Sequence, residues 1–282
     1  MGREIGGYIE LDTYNLPMMH DKGIFLNSGR ACLLYLIKAK KIKRIALPWF
    51  CCDVVRDVCI RENVDIRFYF IGEDLIPLNV ELFDDEWLYV VNYYGQLTEN
   101  TIGSFKRKYK RVIVDNAQAY FAEPIEKCDT LYTCRKFFGV PDGGILFSDA
   151  QPIKCYPLDE SFKRMNYILG RFERGAEEFY QEAANNNSIF TDEGIKQMSK
   201  LTMNLLHGVD YESIKKAREK NFMFLHDEFG GLNQLNLRVP VGPYAYPLMI
   251  ENGEKIRLKL IEKKFTYHVY GQMLNLMYQK IH

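Results

Sequence analysis

The chain has 282 residues, enough for one large domain and a smaller second one, and its 37 basic residues are matched by 37 acidic ones. That balance removes the electrostatic motive for binding nucleic acid, and a composition 47% hydrophobic and 14% aromatic belongs to a packed globular protein, not a disordered one. No apolar run reaches the roughly 18 residues that a membrane span needs, so none is expected. Seven cysteines lack metal-ligand spacing: Cys51 and Cys52 are adjacent, while Cys32, Cys59, Cys128, Cys134 and Cys155 are scattered. With no N-terminal signal pattern, they read as reduced thiols of a cytoplasmic protein. The five histidines show no metal spacing either.

Residues 1–22 read as an arm, suited to lie across a partner subunit. The apolar run Ile24-Phe25-Leu26 predicts a strand, and Ser28 stands where it caps a buried helix running from Ala31 to Ile37. A strand, the small-residue turn Ser28-Gly29-Arg30 and a helix N-terminus together make an anion site, because unpaired N–H groups and the helix dipole face the ligand. The basic run Lys38, Lys40, Lys41, Lys43 and Arg44 reads as a solvated helix end. Ile45-Ala46-Leu47 predicts a second strand, and Pro48 to Asp53 opens a helix with Val54, Val55, Val58 and Ile60 as its apolar positions. A strand follows over 66–71 and a connector over 77–83. Trp87 to Val91 is a further buried strand, ending in Asn92-Tyr93-Tyr94-Gly95-Gln96, and 98–110 is a helix.

The chain then reaches its most informative stretch. Val112-Ile113-Val114 reads as a buried parallel strand that stops at an acid, Asp115, followed by Asn116-Ala117-Gln118. In open α/β sheets ligands bind at such carboxyl ends. Leu131 to Cys134 predicts another strand, Arg135-Lys136 follow directly, and a turn over 137–144 leads into Ile145-Leu146-Phe147. A lysine held between two core strands is expected to lose hydration, which favours a nucleophilic amine able to form an imine with an aldehyde. An acid paired with such a lysine suits pyridoxal phosphate (PLP), whose pyridine nitrogen needs a carboxylate partner. Taken singly, Asp115 also suits a loop cap and Lys136 a solvated loop residue.

Alternation of strands and helices from Ile24 to Leu146 implies an α/β fold with a mostly parallel sheet flanked by helices. Beyond it the pattern predicts helices over 159–182, 192–206 and 210–229, the second with Ile195, Met198, Leu201, Thr202 and Leu205 on one face, and an Asn-rich loop over 183–187. Strands over 235–239 and 244–250 with a helix over 255–264 would complete a small α+β domain. The expected division is a cofactor-binding domain over 1–155 and a helical connection with a small C-terminal domain over 156–282.

The segments VDNAQAY (114–120) and TCRKFFGVPDGG (133–144) resemble the DegT/DnrJ/EryC1/StrS family of PLP-dependent sugar aminotransferases. The resemblance implies the fold-type-I PLP-transferase fold. It gives Asp115 the pyridinium nitrogen, Gln118 a ring-oxygen contact, and Lys136, followed by Gly143-Gly144, the covalent attachment. Thr133 takes the place of the phosphate-binding serine at a shorter spacing. Ser28-Gly29 correspond to the phosphate turn, with Arg30 replacing its threonine. Cys52 falls where an aromatic ring normally covers the cofactor, with Trp49 or Phe50 as substitutes, and Tyr94 belongs to a family-like Tyr-Gly-Gln ending. Met198-Ser199, Leu201-Thr202, Arg218 and Asn221-Phe222 extend the likeness.

The implied activity is transfer of an amino group from an amino acid, glutamate being the expected donor, to a nucleotide-linked keto-sugar in surface polysaccharide biosynthesis. The implied assembly is a cytoplasmic homodimer with shared active sites, to which Asn185 to Asn187 or the N-terminal arm would contribute. Lys136 matches the aminotransferase branch rather than the dehydratase branch, which carries histidine there. The region from Tyr267-His268-Val269-Tyr270 to the end is short for the family. That leaves open a non-catalytic or regulatory paralogue that keeps the fold, with or without the cofactor.

Overall fold

Each β-branched run of the first half becomes a strand of one sheet. The computed structural model describes residues 6–152 and 154–263, so the 267–270 segment lies outside the described residues. In chain order the first half contains β1 (Ile24–Leu26), α1 (Gly29–Ala39), β2 (Arg44–Pro48), α2 (Asp53–Arg61), β3 (Asp65–Tyr69), β4 (Glu86–Val91), α3 (Glu99–Tyr109), β5 (Val112–Asp115), β6 (Asp129–Thr133) and β7 (Gly144–Phe147). The seven strands are ordered β1-β7-β6-β5-β4-β2-β3. Pairing is parallel from β6 through β5, β4 and β2 to β3, and β7 alone runs against its neighbours β6 and β1. The carboxyl ends of β1, β2, β4, β5 and β6 therefore share one sheet edge with the start of β7.

Helix α1 is apolar on nearly every face, and Ala31 through Ile37 are all buried, as expected of a helix packed between a sheet and further layers. Ser28 caps it as predicted, its hydroxyl accepting from Ala31 N at 3.1 Å. Thr98 caps α3 in the same way at 3.1 Å. Among the described residues no helix is long and apolar enough to cross a membrane.

The second half departs from the predicted pattern in four places. The helix expected over 159–182 is broken into a short 3-10 turn, Phe162–Arg164, and α4, Asn166–Glu173. The Asn-rich segment is no loop; it lies inside α5, Tyr180–Asp192. Asparagine is a weak helix former, but here tertiary bonds offset the propensity: Asn186 Nδ2 donates to Pro141 O at 2.9 Å and to the Tyr167 hydroxyl at 3.2 Å.

The expected helix over 192–206 forms only as α6, Lys200–Leu206, capped by Ser199. Its first part is extended because β1 is an edge strand whose free side needs partners. Asn27 N donates to Lys196 O at 3.0 Å, and Met198 N to Phe25 O at 3.3 Å. Helix α7, Tyr211–Phe229, fills the span expected over 210–229 and is capped by Asp210. Among the described residues no ladder forms over 235–239 or 244–250, so the strands of the expected small domain are absent and only α8, Gly253–Glu262, remains of it. Pro247 removes a donor from the second segment, and Pro240 and Pro243 interrupt the chain between the two. Residues 12–16 of the N-terminal arm are tied to α6 of their own chain, through Tyr14 N to Asn204 Oδ1 at 2.9 Å and Leu16 N to His207 O at 3.0 Å.

The glycine pair fixes how β7 meets the Ser28 turn. A Cβ on Gly144 would lie 2.4 Å from the Ser28 carbonyl carbon and oxygen, and Gly143 has φ +119° with its Cβ direction blocked by Cys134 at 2.9 Å. We expect Gly144→Ala to lose about 3 kcal/mol or more in chemical denaturation, since neither backbone can retreat. Gly194→Ala, which meets nothing within 4 Å, is the control and should stay within about 0.5 kcal/mol.

Candidate active site

Asp115 ends β5 with its carboxylate buried, and both oxygens are held. Oδ1 accepts from Ala117 N at 2.7 Å and Oδ2 accepts from the Tyr89 hydroxyl at 2.8 Å. Burial pushes its pKa up from the ordinary 3.8, against the opposing pull of Lys136, the Ala117 amide and Tyr89. Two hydrogen bonds leave lone pairs free on a carboxylate, so Asp115 can still accept from a ring N–H. Tyr89 was not singled out from the sequence; its signal was a hydroxyl within an otherwise apolar strand.

Around Asp115 the loops at the sheet edge are locked to one another. Asn92 Nδ2 donates to Asn116 Oδ1 at 3.0 Å, joining the ends of β4 and β5. Tyr94 takes the left-handed conformation, φ +51°, and its amide donates to Gln118 Oε1 at 3.0 Å. That bond turns the oxygen of Gln118 inward, and its NH2 is the end able to donate to a ring oxygen.

Lys136 lies in the turn between β6 and β7, in electrostatic contact with Asp115 and with its Nζ 5.5 Å from the Tyr244 ring centroid. It is exposed, which corrects the expectation of a desolvated lysine: the turn projects beyond the sheet edge, and only its flanks are covered. Those flanks are firmly held. Phe137 and Phe138 amides both donate to Cys134 O at 3.0 Å, and Arg218 donates to Pro243 O at 3.2 Å and Tyr244 O at 3.3 Å while its guanidinium lies 4.8 Å from the Phe137 ring. Asp142, fully buried in the same turn, accepts from Ser199 N at 2.8 Å, from Ser199 Oγ at 2.7 Å and from the Thr202 hydroxyl. The family-like Ser199 and Thr202 thus anchor the turn that carries the lysine.

At the other end of the site, Gly29 packs beside Thr133: a Cβ there would lie 3.9 Å from Thr133 Cβ. Ser28, Gly29 and Thr133 therefore meet at the N-terminus of α1, as the resemblance implies. Arg30, the next residue of α1, bonds to α5, donating to Asn187 O at 2.8 Å and Asn187 Oδ1 at 3.1 Å. Arg135 donates to the same Oδ1 at 3.1 Å, and its Nε is sealed from solvent without a partner. Neither Arg135 nor the role of Asn187 within one chain was legible in the sequence. Cys52 is exposed at the N-cap of α2. Neither substitute ring turns inward: Trp49 stacks on Phe68 at 4.4 Å, and buried Phe50 stacks on Tyr93 at 5.2 Å. A cavity of about 570 Å³ opens beside Gly95 and Ala119, lined also by Asn92, Tyr211 and Arg238; Asp115 and Lys136 are not in its wall.

The fold, a mostly parallel seven-stranded sheet flanked by helices, is that of solved PLP fold-type-I aminotransferases. Among solved structures the chain is similar to a DegT DnrJ EryC1 StrS aminotransferase from Brucella abortus, with 13% identity, a TM-score of 0.58, and coverage of 88% of this chain and 70% of that one. Spr1654 from Streptococcus pneumoniae, assigned as a sugar aminotransferase and solved in its PLP form, gives 13% identity and a TM-score of 0.60 over 95% of this chain and 81% of that one. The sugar aminotransferase CalS13 from Micromonospora echinospora gives 12% and 0.57 over 85% and 71%. No family model and no curated protein matches the sequence.

The raised proton affinity of Asp115 sets the sign of a pH effect. The folded chain binds that proton more tightly than the unfolded chain, so ionisation costs stability as pH rises above 3.8 through the folded value. Asp115→Asn removes this cost, and its stability relative to the unmodified chain is expected to rise across that window. Urea midpoints of both ligand-free proteins from about pH 4 to 7 measure the difference; a flat difference contradicts the assignment.

Proposed function

We propose that this chain is a PLP-dependent aminotransferase that moves an amino group from an amino acid, glutamate first among donors, to a nucleotide-linked keto-sugar. The observation that carries the reading is a buried carboxylate and a tethered lysine in one another's field at a sheet edge, with an anion-binding helix N-terminus beside them. The residues fit the cofactor: Asp115 keeps lone pairs for a ring N–H, Gln118 offers an NH2, and Ser28, Gly29 and Thr133 line the α1 terminus. The two arginines there bring positive charge. The likeness to structures solved in PLP and PMP forms supports the same cofactor.

When bound, PLP supplies an electron sink that stabilises negative charge at the substrate carbon. Asp115 would hold the proton on the ring nitrogen, and the Tyr89 and Ala117 hydrogen bonds fix its carboxylate plane for that role. Lys136 Nζ is the amine that would hold the cofactor, and when free it would move the proton at the α-carbon of the amino acid. The Asp142 and Arg218 contacts keep that amine within reach by restraining both sides of its turn.

A sugar substrate, a homodimer with shared sites and a role in surface polysaccharide synthesis follow from the family resemblance, and the sugar aminotransferases among the structural neighbours support the first. A cytoplasmic setting agrees with seven unpaired cysteines. A second reading, a paralogue that holds the cofactor without turning over, is favoured by Cys52 standing where an aromatic ring would cover it.

Protein given PLP is expected to develop a visible absorption band that glutamate discharges in a half-reaction. Lys136→Ala abolishes the band. Asp115→Asn keeps PLP bound but slows the half-reaction by roughly 10²–10⁴-fold. A band that glutamate leaves unchanged selects the non-catalytic paralogue, and no band at all, or one that survives in Lys136→Ala, overturns the enzymatic reading.

A further inference from the structure

The α1 end of the site holds two cations that lack an ion-pair partner among the described residues, with Asp57 and Asp142 acting on them only through space. Among the described residues neither Arg30 nor Arg135 takes part in an ion pair, whereas nearby Arg164 is paired with Asp159 at 2.6 Å. Asp142, the closest acid in the Lys136 turn, is already taken by Ser199 and Thr202. Both guanidinium groups donate to one neutral atom, Asn187 Oδ1, at 3.1 Å each. Arg135 also lies over the Phe190 ring at 4.6 Å, which shields the face of the cation and leaves its buried Nε unpartnered. Burial and the charge of Arg30 hold Arg135 down to about 10, and burial lowers Arg30 as well, although both stay protonated at neutral pH. Two like charges kept together in a partly dry site repel each other and are stabilised when an anion comes between them.

The position of the pair names the anion. Arg30 is the second residue of α1, one residue beyond Gly29, and Arg135 adjoins Lys136 two residues after Thr133. The pair therefore borders the turn whose amides already favour negative charge. We propose that Arg30 and Arg135, gathered by Asn187, form a two-arginine clamp for the cofactor's phosphate, with Asn187 as the hinge that holds both side chains ready. Resting as it does on the PLP reading above, this assigns to arginines of one chain a contact that the short Thr133 spacing leaves weak. The source of the phosphate is a small phosphorylated aldehyde, and free inorganic phosphate is the competing occupant.

The test compares PLP with pyridoxal, which lacks the phosphate, as ligands of the full-length protein. Binding is followed by absorbance and by quenching of intrinsic fluorescence, with no turnover required. The unmodified protein is expected to prefer PLP by about 100-fold or more. Arg135→Gln should lose about tenfold or more in PLP affinity with pyridoxal affinity unchanged, and Asn187→Ala should show a smaller loss of the same kind. Arg135→Lys should recover part of it, and inorganic phosphate should compete with PLP less well in Arg135→Gln. Circular dichroism melts confirm that each variant folds, with Arg30→Gln replacing any that does not. Equal losses for PLP and pyridoxal would mean that the arginines are only structural, and an unchanged preference for PLP would place its phosphate elsewhere; either result overturns the clamp while leaving the cofactor reading intact. Failure of the unmodified protein to bind PLP at all overturns both.

Discussion

The site depends on a carboxylate, Asp115, buried where its charge is disfavoured. Asp115 closes a strand whose other residues, Val112, Ile113 and Val114, are buried, and burial of that kind favours the neutral acid. Three groups pull the other way: the Tyr89 hydroxyl, the Ala117 amide and the charge of Lys136. Two are built into the sheet edge and one is carried on a turn. The carboxylate is thus half-stabilised by the scaffold and left with lone pairs to spare, which suits a group meant to hold a proton on something else.

Topology supplies the lysine. Because β7 runs against both neighbours, the chain must leave β6 at the site edge, turn, and come back in at that edge, and Lys136 rides on that turn. The return is narrow: Gly144 passes against the Ser28 carbonyl with no room for a Cβ, while the Gly143 amide donates to Asn27 O at 2.7 Å. One crossing therefore brings the lysine, the Ser28 turn and the α1 terminus together. Asp142 and its three donors from Ser199 and Thr202 then fasten the turn to α6, so a segment far along the chain helps set where the amine stands.

How much of this could be read from the residues alone follows from the range of the forces involved. The central strands β2, β4, β5, β6 and β7 were legible because burial on both faces demands apolar runs, and Asp115 stood out as the acid that ends one. Ser28 was legible as a cap because capping is local. The Asn-rich helix was not, since what holds it is Pro141, Tyr167 and two arginines from distant segments. Nor was the extended stretch around Gln197, which is drawn out of a helical pattern by the open edge of β1. The exposure of Lys136 was hidden for the opposite reason: Cys134, Phe137 and Phe138 close by in sequence are apolar and buried, and only the three-dimensional path of the turn shows that its tip stands clear.

One measurement bears on the whole account. Borohydride reduction of the PLP-treated protein, followed by peptide mapping, reports which amines the aldehyde had captured. The account predicts a single stoichiometric label on Lys136, lost when Asp115 and the α1 turn are unfolded by denaturant before PLP is added. Label spread over surface lysines such as Lys38, Lys41 and Lys108, with Lys136 no more modified than they are, would contradict it.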